Sequence, residues 1–257
     1  IQLPSVQAPA MPDTPRVSAA VLIIGNEILS GRTQDTNLAH LAKTLNGYGI
    51  QVREARVVPD VEAEIVDAIN ALRVRYDYLF TTGGIGPTHD DITADCVAKA
   101  FGVALEIHPQ IAELIQRRPS PPEVMASRMR MARVPDGARL ASKPHMPWPA
   151  IIMHNVWVLP GVPEIFQAKM PLVRELIGSD KPFVSLSVYT TMDEGTLKPM
   201  LDKVVSDDRC CVDCDHLGSG IDGMVFTRSV RERREESCLT VWDRCVYAAL
   251  KVGAASP

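Results

Sequence analysis

Residues 76–101 read YDYLFTTGGIGPTHDDITADCVAKAF, and their order of residue types decides the fold. Tyr76–Thr82 has the apolar and β-branched content of a strand. It runs into the turn Gly83-Gly84-Ile85-Gly86-Pro87, and the spacing then predicts a helix over Asp91–Phe101. The same unit recurs upstream. Val17–Ile24 is a nearly continuous apolar run, as expected of a strand buried on both faces, and it ends at Gly25. After the polar stretch Asn26–Asp35, the positions Leu38, Leu41, Ala42 and Leu45 recur at helical spacing until Gly47 and Gly49. Ile50–Val58 reads as a second strand closed by Pro59-Asp60. Asp60 is the expected N-cap of a helix over Val61–Arg75 with an apolar face of Val61, Ile65, Ala68, Ile69 and Leu72.

Downstream, Val103–Ile107 predicts a short strand. A helical stretch over Ile111–Arg133 is broken by Pro119, Pro121 and Pro122. Lys143–Pro149 is too proline-rich for anything but a loop. Ile151–Leu159 predicts one further apolar strand, followed by Pro160-Gly161-Val162-Pro163-Glu164 and a helix over Ile165–Ile177. Strands alternating with helices at this spacing imply βαβ units and a mainly parallel sheet, hence an α/β fold. In such sheets ligands bind beyond the carboxyl ends of the strands. Three loops sit there: Gly25–Gly31, Thr82–Asp91 and Pro160–Glu164.

The chain of 257 residues is long enough for one good-sized domain and a smaller lobe. We expect a disordered tail over 1–15, a main domain over 16–178 and a small C-terminal α/β lobe over 179–257. In that lobe Phe183–Thr191 reads as a strand and Glu194–Val205 as a helix. A net charge of −4 argues against a nucleic-acid partner. The absence of any 18-residue apolar run argues against a membrane-spanning helix. The first 15 residues carry four prolines and neither a basic nor an apolar leader region, so a cytoplasmic protein is expected. Five of the six cysteines (Cys210, Cys211, Cys214, Cys238, Cys245) fall in the last 48 residues. Cys210–His216 contains C-x₂-C near a His, but no second pair completes a zinc site. With the strand alternation fading as well, irregular structure from about residue 206, in a diverged or frame-shifted tail, is expected.

The chemistry concentrates in Thr82–Thr93. Glycines after a strand let the backbone approach a ligand and leave amide N–H groups facing phosphate oxygens. Asp90 and Asp91 at the following helix start would repel a bare phosphate, and the pairing makes sense if a divalent cation bridges carboxylate and phosphate. One aspartate merely capping the helix is the alternative. The run is neither a Walker A loop nor G-x-G-x-x-G. Glu27 reads as either a helix-entry residue or an acidic partner to the second loop. His89 is a candidate metal ligand or general acid, or else a solvent-facing loop residue.

Thr82-Gly83-Gly84-Ile85-Gly86 followed by Asp90-Asp91 and Thr93 resembles the signature of the molybdopterin-binding domain family. Gly25-Asn26-Glu27-Ile28-Leu29-Ser30-Gly31 with Asp35-Thr36-Asn37, then Gly86-Pro87-Thr88, and Pro160-Gly161-Val162-Pro163 are similar to its competence/damage-inducible branch. Asp193-Glu194 before a helix is similar to the second lobe of that branch. The resemblance implies a three-layer α/β domain with a mainly parallel sheet. It implies that Gly25, Asn26 and Glu27 line one wall of the ligand site, while Thr82, Gly83, Gly84, Gly86, Pro87, Thr88, Asp90, Asp91 and Thr93 hold phosphate and metal. Pro160, Gly161 and Glu164 would close it. Asp90, Asp91 and Glu27 are the catalytic candidates, with Asp90 and Asp91 holding Mg, Mn or Co. The implied ligand is a pterin or an adenine nucleotide. The implied chemistry is hydrolysis of a pyrophosphate such as ADP-ribose or FAD, or else molybdopterin binding or adenylyl transfer. Family members form dimers or trimers, so a homo-oligomer is expected. The chain departs from the family at Lys143–Pro149, where a Gly- and Pro-containing loop ending in an aromatic is usual; here His145 and Trp148 stand, with Trp148 a candidate ring-stacking residue.

Overall fold

Val17–Ile24 forms β1 as its apolar run predicts, and Ala19 through Ile24 are all buried. In the computed structural model of the chain the described residues are 17–144, 146, 148–178, 184–190, 195, 198–199, 212–216 and 224–230. The chain divides into two units, Ile1–His40 with Ile50–Leu172, and Leu41–Gly49 with Val173–Pro257. After β1 come a short α1 (Asn26–Leu29), α2 (Asn37–Asn46) and β2 (Ile50–Val58). Next are α3 (Glu62–Arg73), β3 (Tyr78–Thr82), α4 (Thr93–Phe101), β4 (Leu105–Ile107), α5 (Pro109–Gln116) and α6 (Pro122–Met129). A 3₁₀ turn at Arg130–Ala132 leads to β5 (Arg133–Pro135), β6 (Arg139–Ala141), β7 (Ala150–Met153) and β8 (Val156–Leu159). Helices α7 (Pro163–Gln167) and α8 (Met170–Ile177) follow.

The main sheet has the order β2-β1-β3-β8-β7-β6. Pairings β1/β2, β1/β3 and β3/β8 are parallel, while β7/β8 and β6/β7 are antiparallel. One face of β1 (Ala20, Leu22, Ile24) shares a buried cluster with Ile65, Ala68, Ile69 and Leu72 of α3 and with Cys96, Val97 and Ala100 of α4. The alternate residues Ala19, Val21 and Ile23 are equally buried, as are Phe80 and Trp157, whose rings lie 5.9 Å apart across the β3/β8 pairing. The sheet is therefore covered on both faces, the three-layer α/β arrangement expected. Strand β2 closes one edge and shows half-exposed positions, with Arg53, Glu54 and Arg56 blunting it against further pairing.

Four local expectations are corrected. The apolar run expected as one strand over Ile151–Leu159 is a hairpin of β7 and β8. His154 takes φ 51° at its turn, and the amide of Asn155 donates to the carbonyls of Arg73 (2.9 Å) and Tyr76 (3.1 Å). An unbroken apolar pattern hides such a turn because both arms are buried. The helix expected over Ile165–Ile177 is two helices interrupted at Ala168-Lys169. Asp60 does not cap α3: the helix begins after Val61 without a side-chain cap, and the Asp60 carboxylate instead accepts the Asn26 N–H at 2.8 Å. Neither Asp90 nor Asp91 caps α4, whose N-cap is Ile92.

In the second unit β9 (Val184–Thr190), β10 (Val212–His216) and β11 (Met224–Val230) form an antiparallel sheet in the order β10-β11-β9. Two strands thus follow residue 206, where regular structure was expected to fade. The 1–15 tail, His145, the cysteines Cys210 and Cys211, and most of the helix expected over Glu194–Val205 lie outside the described residues.

Lys169 is buried at 1% exposure, and its ammonium donates to the Trp148 carbonyl. Burial pushes its pKa down to about 8. The unfolded chain keeps Lys169 charged to a higher pH than the folded one, so between about pH 8 and 10.5 the unfolded state binds more protons and native stability gains as pH rises. Urea titrations of the native chain and of Lys169→Met at pH 7 and pH 10 should therefore show the native chain gaining on the variant at the higher pH. A gap between the two that does not change with pH would remove the depressed amine from the account.

Candidate functional site

The strand order reverses between β1 and β3: the chain leaves β1 toward β2 on one side, and β3 lies on the other. Open α/β sheets bind ligands at such a point, beyond the strand carboxyl ends. A cleft of about 90 Å³ lies there, lined among others by Ile24, Glu27, Asn37, Thr82, Gly83 and Gly161.

Asn37 ties its walls together. Its amide nitrogen donates to the Thr82 hydroxyl at 2.9 Å and to the Gly161 carbonyl at 2.8 Å, and the Thr82 hydroxyl donates in turn to the Pro160 carbonyl at 3.2 Å. The loops after β1, β3 and β8 are thus joined through one side chain that is 3% exposed. The other end of the amide, Oδ1, is buried in the cleft wall without a donor among the described residues. Asp35 supports this arrangement by accepting the Leu38 N–H at the start of α2 at 2.9 Å.

Glycine is required where the walls meet. Gly83 has φ 101°, and a Cβ there would stand 2.2 Å from the Ile24 carbonyl oxygen. Gly84 has φ 65°, and its Cβ would meet the Thr93 hydroxyl at 2.3 Å. That hydroxyl donates to the Gly83 carbonyl at 2.9 Å, and the Thr93 N–H to the Gly84 carbonyl at 3.0 Å, so Thr93 fixes the shape of the run. The N–H groups of Gly84, Ile85 and Gly86 donate to nothing among the described residues. Unengaged loop amides are potential donors to anionic oxygens, although the Asp91 carboxylate lies against Gly86, 2.6 Å from where its Cβ would be. Farther along, Asp91 accepts the Thr88 N–H at 2.8 Å and the Thr88 hydroxyl. Proximity to the same hydroxyl holds the exposed Asp90 carboxyl below its ordinary value.

A second, smaller cleft of about 20 Å³ shares the glycine run. It is lined among others by Gly84, Gly86, Asp91, Arg130, Arg133 and Trp148.

The model of a family described as "Probable molybdopterin binding domain" matches residues 20–177, the portion that holds both clefts. The chain belongs to the molybdopterin-binding domain family. A protein of Pyrobaculum arsenaticum is 36% identical over 205 residues, covering 74% of this chain and 76% of the relative. A CinA-like protein of Myxococcus xanthus is 34% identical over 159 residues, 58% of this chain, and the match spans 37% of that longer protein. The solved structure of the protein CinA from Thermoplasma acidophilum superposes with a TM-score of 0.56 at 32% identity, covering 63% of this chain and 98% of that one. Within the molybdopterin-binding domain family the chain stands in the CinA-like branch.

Among the residues expected from the family motifs, Glu27, Thr82, Gly83 and Gly161 line the first cleft, and Gly84, Gly86 and Asp91 the second. Gly25 lies under the Glu27 carboxylate, where an added Cβ would come within 2.5 Å of Oε1. Asn26 is held by Asp60, the Pro87 carbonyl accepts the Ser127 hydroxyl at 3.0 Å, and Glu164 is exposed at the start of α7. Glu27, Asp90 and Asp91 do not converge on one point: among the described residues no three His, Cys, Asp or Glu side chains form a metal-binding group. Of the two aspartates, Asp91 is engaged by Thr88 and Asp90 is exposed. His89 is exposed beside them. Asn37 and Arg130 received no role from the sequence, and Asp60 only that of a helix cap. Asn37 stood in a quoted motif, yet a polar residue at a helix start reads as an ordinary cap.

Asn37→Ala should destabilise the main unit by about 2 kcal/mol, since the Gly161 carbonyl loses a buried partner. Gly83→Ala should cost about 3 kcal/mol or more through its backbone geometry and the clash with Ile24. Denaturant titration measures both, and losses under about 0.5 kcal/mol would show the three loops to be held by something else.

Proposed function

We propose that the chain binds a phosphorylated pterin or adenine nucleotide and hydrolyses a nucleotide pyrophosphate such as ADP-ribose or FAD with the help of a divalent cation. The observation that carries this reading is the glycine run at the sheet's reversal point, where the amides of Gly84, Ile85 and Gly86 are unengaged among the described residues and the Asp91 carboxylate lies against Gly86, with Asp90 adjacent in sequence. Amides and a helix start favour phosphate oxygens, and the carboxylates favour a cation that those oxygens share. The first cleft takes the larger organic part of the ligand, with the unpaired Asn37 Oδ1 as an acceptor for a ring or amino N–H. Asp90 and Asp91 are the residues that would hold Mg, Mn or Co, which would supply Lewis-acid polarisation of the phosphorus, and one of the two carboxylates would orient water. Water adds to phosphorus, the bridging P–O bond breaks, and AMP leaves with the other phosphate ester. A cytoplasmic homo-oligomer, dimer or trimer, completes this reading.

A second reading is favoured by the separation of Glu27 from the aspartates and by the lack of a three-donor group among the described residues. On that reading the domain holds molybdopterin or its adenylylated form without hydrolysing it, or transfers adenylyl groups.

Purified protein given ADP-ribose, FAD or ATP with Mg²⁺, Mn²⁺ or Co²⁺ should release AMP from ADP-ribose or FAD, measured by chromatography, and a chelator should stop it. Asp90→Asn and Asp91→Asn should each lower the rate by about 100-fold, the scale of a lost positioned base. Absence of AMP from every substrate, with saturable binding of a molybdopterin compound, would replace hydrolysis with the binding reading.

A further inference from the structure

Lys169 is a buried charge that lines neither cleft. It falls in the break between α7 and α8, 1% exposed and flanked by the buried Phe166, Met170 and Leu172. Its backbone is held on both sides: its N–H donates to the Phe166 carbonyl at 2.9 Å, and its carbonyl accepts the Leu172 N–H at 3.0 Å. Burying an ammonium among apolar groups is costly, and an apolar side chain of similar length would fill the same space without that cost. What the ammonium does there is donate to the Trp148 carbonyl.

That carbonyl lies where the sheet cannot serve it. The β6/β7 pairing ends at Ala141 and Ala150, so Trp148 belongs to the connection 142–149, outside the ladder. Prolines at positions 144, 147 and 149 remove three N–H groups from this short connection. Its internal turn is made by the Met146 N–H, which donates to the Lys143 carbonyl at 2.8 Å. The donor to Trp148 comes instead from a residue 21 positions along the chain. The indole of Trp148 is half-buried, packs against the main apolar cluster and forms part of the wall of the second cleft, as do Met131 and Ile151. One bond therefore holds the backbone that carries the indole, and with it a wall of the cleft.

We infer that Lys169 is a latch: its buried ammonium holds the Trp148 backbone so that the indole closes one wall of the second cleft, and breaking this bond opens that wall while the sheet stays folded. The latch is independent of what either cleft binds. A charged donor makes a hydrogen bond roughly twice as strong as a neutral one. Burial pushes the Lys169 pKa down to about 8, which still leaves the amine mostly protonated at pH 7. When the donor is lost, the Trp148 carbonyl turns toward water, because an unpaired buried acceptor is costlier than a solvated one. That turn displaces Trp148 and leaves β7 in place, since the pairings of β7 with β6 and β8 lie beyond it.

The test is amide hydrogen exchange at pH 7, read by mass spectrometry on the full chain and on Lys169→Met, with a urea titration of both. Lys169→Met keeps an apolar stem of similar length and removes the donor. Exchange over 142–148 should quicken about tenfold, while β1 and β8 stay as protected as in the native chain. The urea midpoint should hold or rise, because a buried charge has gone. Acrylamide should quench Trp148 more readily in Lys169→Met, with the Trp148 emission taken as the difference between each protein and the same protein carrying Trp148→Phe. Lys169→Gln, a shorter and neutral donor, should fall between the native chain and Lys169→Met. Unchanged exchange and quenching in Lys169→Met overturns the latch. Faster exchange spread over the whole main unit overturns it too, since Lys169 would then be an ordinary part of the core. Should Lys169→Met fail to fold, Lys169→Gln decides by the same readings, and failure of both to fold also overturns the latch.

Discussion

The amide of Asn37 is the point on which the main unit's ligand end depends. One nitrogen reaches the hydroxyl that ends β3 and the carbonyl that follows β8, and Thr82 passes the connection on to Pro160. These partners lie 45 and 124 residues away in sequence. Most buried polar groups are paired, and losing a partner is costly, so this network has few alternative arrangements and specifies how the three loops meet. The glycines complete what the amide begins. Gly83 passes so close to Ile24 that no Cβ fits, and a Cβ on Gly161 would lie 3.2 Å from the Gly83 Cα. Hydrogen bonding draws the loops together, and missing side chains let them arrive.

Most of the fold was legible because its strands are buried on both faces and so stand out as apolar runs. β1 and β2 fall at the expected residues, and β3 and α4 within two of them. Legibility failed where burial is uniform. Between Ile151 and Leu159 nothing polar except His154 and Asn155 marks the turn, and a two-residue hairpin needs no more than that. Lys169 sits beside the buried Phe166 and Met170, a position that reads as apolar, and its amine is accommodated by a carbonyl that no sequence pattern reveals.

At the site, composition identified the glycine run and its acidic neighbours, since backbone approach and carboxylate placement leave marks in one short segment. Relations between segments left none. Asp60 looked like a helix cap because Asp before a helix usually is one, and its true partner, the Asn26 N–H, lies 34 residues away. The separation of Glu27 from Asp91 into different clefts is likewise a relation between segments that no local pattern marks.

The position of β8 has a consequence for how the protein assembles. β8 pairs directly with β3, yet 73 residues separate Thr82 from Val156, and β7 can join the sheet only through β8. Contacts so distant in sequence close a long loop before they are rewarded, which makes them slow to form and places them late in folding. Pro160 and Gly161 arrive with this strand. Until it docks, Asn37 and Thr82 have no Gly161 and Pro160 carbonyls to meet. The cleft lined by both Gly83 and Gly161 therefore exists only in the completed sheet, and anything that occupied it would favour the docked strand.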